Sequence, residues 1–283
     1  MSEKQKGIIF IILSAFLFAL MNLFVKLTGD IPPIQKAFFR NSGAFVIALV
    51  VILKHKKNIH LQIKNFPLLI ARALFGTVGI ICNFYALTML QLSDASTLAK
   101  LAPFFVVIFS FIFLKENIKL YQILAIIVAF LASLLIVKPS FSGSHYTTYA
   151  LIATCGAMGA GAAYTCIRAL SKRGENGAII VFCFSFISCI VMLPFSIFFY
   201  KSMTHIQILY LLGASISGAL AQFAVTTAYI HAPGKEISLY DYSQVIFASL
   251  MGYIFYHDMP DIYSILGYIL IFLASLYMFL KHN

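Results

Sequence analysis

Two stretches of this chain, 142 residues apart, are written on one plan. Residues 93–139 read SDASTLAKLAPFFVVIFSFIFLKENIKLYQILAIIVAFLASLLIVKP, and residues 235–281 read KEISLYDYSQVIFASLMGYIFYHDMPDIYSILGYILIFLASLYMFLK. Leu114-Lys115-Glu116 falls on Tyr256-His257-Asp258, and Phe130-Leu131-Ala132-Ser133 falls on Phe272-Leu273-Ala274-Ser275. The same shift carries Asp94 onto Glu236 and Lys26 onto Arg168. One offset holding over most of the chain divides it into two related halves, residues 1–142 and 143–283. Repetition of this kind in an apolar chain marks proteins built from duplicated membrane units.

Each half is too apolar to close over a water-facing surface. The chain is 61% hydrophobic and 10% charged, where a soluble domain carries about a quarter charged residues. Lipid is therefore the expected solvent. Spans of about 20 apolar residues can be placed near Gly7–Leu27, Ile34–Leu53, Leu68–Leu90, Ala95–Leu114 and Leu120–Val137, then Thr147–Leu170, Ala178–Tyr200, Ile206–Ile230, Ile237–Tyr256 and Ile262–Leu280. Turn signals separate them at Gly29-Asp30-Ile31-Pro32-Pro33, Pro139 with Gly143, Gly174-Glu175-Asn176-Gly177 and Pro233-Gly234. The expected class is an all-α integral membrane protein of ten transmembrane helices.

Charge orients the spans. With the N-terminus inside, the inner segments hold Lys54, Lys56, Lys57, Arg168, Lys172 and Arg173, with Lys4, Lys6, Lys64, Lys115, Lys119, Lys235 and Lys281. The outer segments hold only Lys26, Lys36, Lys138 and Lys201. Both termini are expected in the cytoplasm, in a multi-pass protein of the cell membrane. Five spans per half is odd, so the two five-helix repeats enter from opposite sides and are inverted. The net charge of +11 is spread over these connecting segments, with no basic stripe of the kind that binds nucleic acid.

The residues Phe39-Arg40-Asn41 in the second span, Ala102-Pro103 in the fourth, and Leu114-Lys115-Glu116 before the fifth resemble paired EamA repeats of the drug/metabolite transporter superfamily. The second half departs from the pattern at His257-Asp258 but keeps its acidic position. The resemblance implies a ten-helix carrier whose cavity is lined by spans one, three, four, six, eight and nine. It leaves the substrate open, among amino acids, sugars, nucleotides, cations and drugs.

Ionisable groups inside spans are costly and point to function. Lys100 and Asp241 lie in the fourth and ninth spans, about 8 Å from opposite membrane faces on a straight-helix count. That leaves roughly 14 Å between them in a core about 30 Å thick. A direct pair is therefore not expected. Arg72 is the expected partner of Asp241. Arg40 is expected to be mainly structural, served by helix ends or Asp94. Lys100 suits an anion and Asp241 an amine, with Tyr240 and Tyr242 available for cation–π contact. Asn22, Asn83, Tyr85, Tyr164 and Gln222 are the uncharged candidates, since amides in lipid need partners inside the bundle. Glu116 and Asp258 read as helix-start carboxylates. The run from Gly156 to Ala163, with Gly76, Gly79, Gly213 and Gly218, suits close helix packing.

Cys82, Cys155, Cys166, Cys183 and Cys189 show no CxxC spacing and read as free apolar residues, so no metal is expected. No cofactor is implied, and no GxxxxGKS/T loop is present to use ATP. Scattered acidic residues without HExxH-type clusters argue against an enzyme, and charges at unequal depths do not form a channel's ring. The favoured reading is a secondary transporter of a small polar metabolite, such as an amino acid or amine-bearing zwitterion. It would act as a monomer or homodimer among membrane lipids. A multidrug or cationic-compound exporter of the same fold, and more remotely a membrane enzyme, stay open at this point.

Overall fold

The computed structural model describes residues 3–54, 62–115, 119–137, 145–231 and 240–282. Glu116, Pro139, Gly143, Pro233, Gly234 and Glu236 lie outside these residues. Among the described residues there is no strand. The helices are α1 (Glu3–Leu27), α2 (Pro33–Lys54), α3 (Phe66–Ala86), α4 (Leu92–Ala99), α5 (Ala102–Leu114) and α6 (Leu120–Val137), followed by α7 (His145–Lys172), α8 (Gly177–Phe198), α9 (His205–His231), α10 (Ser243–Tyr256) and α11 (Ile262–His282).

Among the described residues, seven helical segments are long and apolar enough to cross a membrane: Gln5–Leu27, Pro33–Lys54, Ile63–Ala86, Leu92–Leu114, Tyr146–Lys172, Gly177–Phe198 and His205–Ala228. Ile123–Ile136, Ser243–Tyr256 and Ile262–Ala274 are apolar but shorter. Large apolar side chains face outward along these helices, among them Phe113, Phe130, Phe198 and Phe255. An apolar belt on this scale is what lipid covers.

Local chemistry sets the helix ends. Proline opens α3 and α5, where a missing N–H costs nothing. The Asn176 side chain accepts a hydrogen bond from Ala178 N (2.8 Å) at the start of α8. Lys115 closes α5 and His257 closes α10, both in the left-handed region (φ 53° and 54°). They stand 142 residues apart, so the repeat extends to a rare backbone conformation.

Packing follows the same exchange. Helix α1 packs on α9, and its shifted equivalent α7 packs on α3. The contact of α5 with α7 answers that of α10 with α1, and α2 with α9 answers α8 with α3. Two pairs, α2 with α8 and α6 with α11, map onto themselves.

The end of α1 that carries Lys26 is laced by polar contacts. Lys26 Nζ donates to Leu90 O (2.8 Å) and meets Asp258 Oδ2 (3.3 Å). Gln91 reaches Met259 O (3.3 Å), and Gln207 reaches Thr28 O (3.0 Å). Lys201 pairs with Asp30 and holds that carboxyl below its usual range. Asp258 is therefore an ion-pair partner rather than a helix-start carboxylate. Asp261 takes that role by accepting from Ser264 N (3.0 Å). At the other end of α1, Glu3 meets Lys6 (2.7 Å) and His231 (2.6 Å).

Small residues let α3 and α7 touch backbone to backbone. A Cβ on Gly159 would lie 3.0 Å from Phe75 O and 3.2 Å from Gly79 N. Gly213 instead accommodates the Phe24 ring, and Gly76 and Gly218 face arginines. Overpacking a close seam costs about 1–3 kcal/mol. Gly159→Ala should therefore lower the melting temperature of the purified protein. Gly252→Ala, whose new Cβ would meet Leu92 Cβ at 3.6 Å, should not. A Gly159→Ala protein melting at or above wild type would contradict the seam.

Candidate functional site

The fourth apolar run is not one helix. Helix α4 stops at Ala99 and α5 starts at Ala102. Pro103 has no N–H to return to the carbonyl of Ala99, so the ladder fails there. Shorter bonds fill the gap, from Lys100 N to Thr97 O and Leu101 N to Leu98 O, both 3.0 Å. The break presents Lys100. Its shifted equivalent is Tyr242, which directly precedes α10 and follows Asp241.

These two places meet. Lys100 Nζ lies 2.6 Å from Asp241 Oδ2, with the two side chains 7% and 18% exposed. The Tyr242 hydroxyl donates to Lys100 O (3.2 Å), a carbonyl at the break. The expectation that Lys100 and Asp241 stand apart is thus overturned. The depth count began at Ala95 on a straight helix, whereas α4 begins at Leu92. Lys100 lies about eight residues along it, roughly 12 Å, which is close to the middle of a 30 Å core.

A cavity of about 160 Å³ opens beside the pair. Asn22, Arg40, Arg72, Asn83, Lys100, Tyr164, Gln222 and Asp241 all line it, with Gln244, Phe184 and a wall of small residues from α7. Asn83 donates to Asn22 Oδ1 (3.3 Å). Tyr85 stands outside the lining, half exposed and stacked on Tyr149 (5.7 Å). Tyr240 packs against the cluster of Ile11, Val225 and Ala228. Tyr242 touches the site through Lys100 O rather than through the lining.

Neither arginine meets the carboxylate suggested for it by the sequence. Arg72 makes no ion pair with Asp241, whose Oδ2 meets Lys100 instead. Its guanidinium lies over the Phe184 ring at 4.0 Å, and Nε and Nη1 have no partner among the described residues. Arg40 donates to Asn41 Oδ1 (2.6 Å) and Gly218 O (3.4 Å), not to Asp94, and it lines the cavity. Asp94 is held by the hydroxyls of Tyr146 and Tyr268.

Gln244 escaped the sequence reading. Its signal was an amide alone in an apolar run, the same signal that marked Gln222. No group of His, Cys, Asp and Glu that could hold a metal occurs among the described residues. A second hollow of about 230 Å³ lies between α2 and α8, lined by Phe38, Phe45, Phe186, Ile190 and Leu193 with Ser42 and Cys189. It carries no charged group.

Helices broken at the middle of an apolar bundle, around a polar cavity, define a carrier-type membrane protein. The chain belongs to the EamA-like transporter family, whose sequence profile matches residues 5–138 and again 147–280. It is similar to the pseudopaline exporter CntI of Pseudomonas aeruginosa, at 32% identity over 96% of this chain and 95% of that one. It is also similar to a riboflavin transporter of Brucella anthropi, at 27% identity over 92% and 94%. A solved crystal structure shares the fold at a TM-score of 0.66 and 14% identity, covering 96% of each chain. Relatives named as transporters and exporters place the chain outside the enzymes.

Removing one partner of a buried ion pair strands the other, at a cost of about 3–5 kcal/mol, whereas replacing both with apolar groups is close to neutral. Lys100→Met and Asp241→Leu should each lower the melting temperature, and the double substitution should recover most of the loss. Additive losses would contradict the pair.

Proposed function

We propose that this protein is a secondary transporter that moves a small polar metabolite, of the amino acid or amine-bearing zwitterion class, across the cytoplasmic membrane by alternating access. Its ten spans form two inverted repeats, residues 1–142 and 143–283, with both termini in the cytoplasm. The two separate family matches, the left-handed pair Lys115 and His257, and the exchanged helix contacts support the repeat reading. The distribution of Lys and Arg supports the orientation.

The observation that carries the substrate class is the Lys100–Asp241 pair in the cavity wall. Opening a buried pair is costly unless each charge finds a new partner or water. A zwitterion supplies both partners, its carboxylate for Lys100 and its ammonium for Asp241. Binding then exchanges one internal pair for two external ones and leaves no charge stranded. Because the two charges belong to different halves of the chain, occupancy couples directly to how the halves are joined. Simultaneous opening of both faces is not required, so transport proceeds as one side loosens and the other closes.

A cationic-drug reading fits less well. Among the described residues the cavity wall holds Arg40, Arg72 and Lys100 against Asp241 alone, and that balance repels a cation. The cavity is also smaller than the roughly 300–1,000 Å³ typical of drug-sized ligands. The relative named as an exporter makes outward movement the first direction to test.

Counterflow in proteoliposomes tests the reading. Labelled amino acid should accumulate transiently against unlabelled amino acid inside, and uptake should saturate. Asp241→Asn, which loses a charge-assisted contact, should weaken it by about tenfold or more. Uptake linear in concentration without counterflow would contradict a carrier.

A further inference from the structure

The Lys100–Asp241 pair is neutral overall, which leaves the arginines to account for. Arg40 and Arg72 are 2% and 3% exposed. Their guanidinium carbons lie 5.8 Å and 4.0 Å from the same Phe184 ring centroid, so one ring locates both. Glycines make the space for them. A Cβ on Gly76 would fall 2.2 Å from Arg72 Nη1, and one on Gly218 would fall 3.0 Å from Arg40 Nε. Those two glycines are 142 residues apart, so equivalent points of the two halves are cleared for a guanidinium. Arg72 Nε and Nη1 and Arg40 Nε are buried donors with no acceptor among the described residues, and both side chains line the cavity.

Buried guanidinium groups demand acceptors, and the planar fork matches a carboxylate. The one carboxylate described in the cavity wall, Asp241, meets Lys100 through Oδ2 and makes no ion pair with either arginine. We propose that Arg72 and Arg40 form an anion subsite of the cavity that takes a second carboxylate of the cargo, so that the transported metabolite is an acidic, amine-bearing compound of net negative charge. This rests on the zwitterion reading of the Lys100–Asp241 pair and adds a charge to it. The cargo's first carboxylate and its amine open the pair, and the extra carboxylate settles against Arg72, with Arg40 fixed behind it by Asn41 and Gly218.

Glutamate and glutamine provide the test, being alike in shape and differing by one negative charge, with succinate as a dicarboxylate that lacks the amine. Binding of all three to the purified full-length protein is measured by calorimetry and thermal melting, on wild type, Arg72→Met and Arg72→Lys. The wild type should prefer glutamate over glutamine by about tenfold or more, as one charge-assisted contact allows. Arg72→Met should erase that preference. Arg72→Lys, which keeps the charge and loses the fork, should retain only part of it.

Ligand-free Arg72→Met should melt at or above wild type, because an unpartnered buried charge has been removed. Equal binding of glutamate and glutamine by wild type overturns the anion subsite while leaving the zwitterion reading standing. An Arg72→Met protein that melts lower without ligand and keeps the preference makes Arg72 structural and also overturns it. Succinate binding that depends on Arg72, with no amino-acid binding, supports the subsite and removes the zwitterion reading. No binding of any of the three overturns both. If Arg72→Met does not fold, undiminished preference in Arg72→Lys is the contrary result.

Discussion

A charge near the middle of a bilayer has to be paired, hydrated or neutralised, and the bond between Lys100 and Asp241 meets that demand across the two halves of the chain. The lysine sits where α4 gives way to α5, and the aspartate sits just before α10. Neither place is inside an unbroken helix, so each brings free backbone to the cavity along with its charge. Tyr242, the shifted equivalent of Lys100, closes the arrangement by bonding the lysine's own carbonyl. Side-chain charge and backbone are thus satisfied in one small volume.

The rest of the bundle holds those two breaks opposite each other. Small residues of α7 bring it against α3 until backbone meets backbone, while α1 packs on α9 in the equivalent place. The end bearing Lys26 is knitted by Asp258, Leu90, Gln91 and Gln207. Such contacts are polar and partly exposed, so they are weak singly. Under the proposed alternating access they suit an end that opens and recloses, whereas the α3–α7 seam suits a unit that moves whole.

Much of this is legible in the sequence, because lipid imposes length and composition on each span and the two halves repeat the span pattern. Apolar runs, turn residues and the 142-residue shift mark the helices, and rare polar residues mark most of the polar side chains in the cavity wall. What escaped depended on where helices bend and which way side chains point. Pro103 breaks the fourth span, whereas a straight-helix count of the depth of Lys100 ignores the break. Tyr85 follows Asn83 by two positions, which turns it about 200° around the helix, so the asparagine faces the cavity and the tyrosine faces away. Arg40 belongs to a span that the family resemblance leaves out of the cavity lining, yet its side chain reaches the cavity. The single carboxylate near Arg72 was assigned to it on depth alone, and the fold gives that carboxylate to Lys100.

A structure of the purified protein with bound cargo, at a resolution that shows side chains, tests the account most directly. In that structure the 2.6 Å contact between Lys100 Nζ and Asp241 Oδ2 should be broken, with the lysine on a carboxylate of the ligand and the aspartate on its amine. An intact pair, with the ligand bound elsewhere, would contradict it.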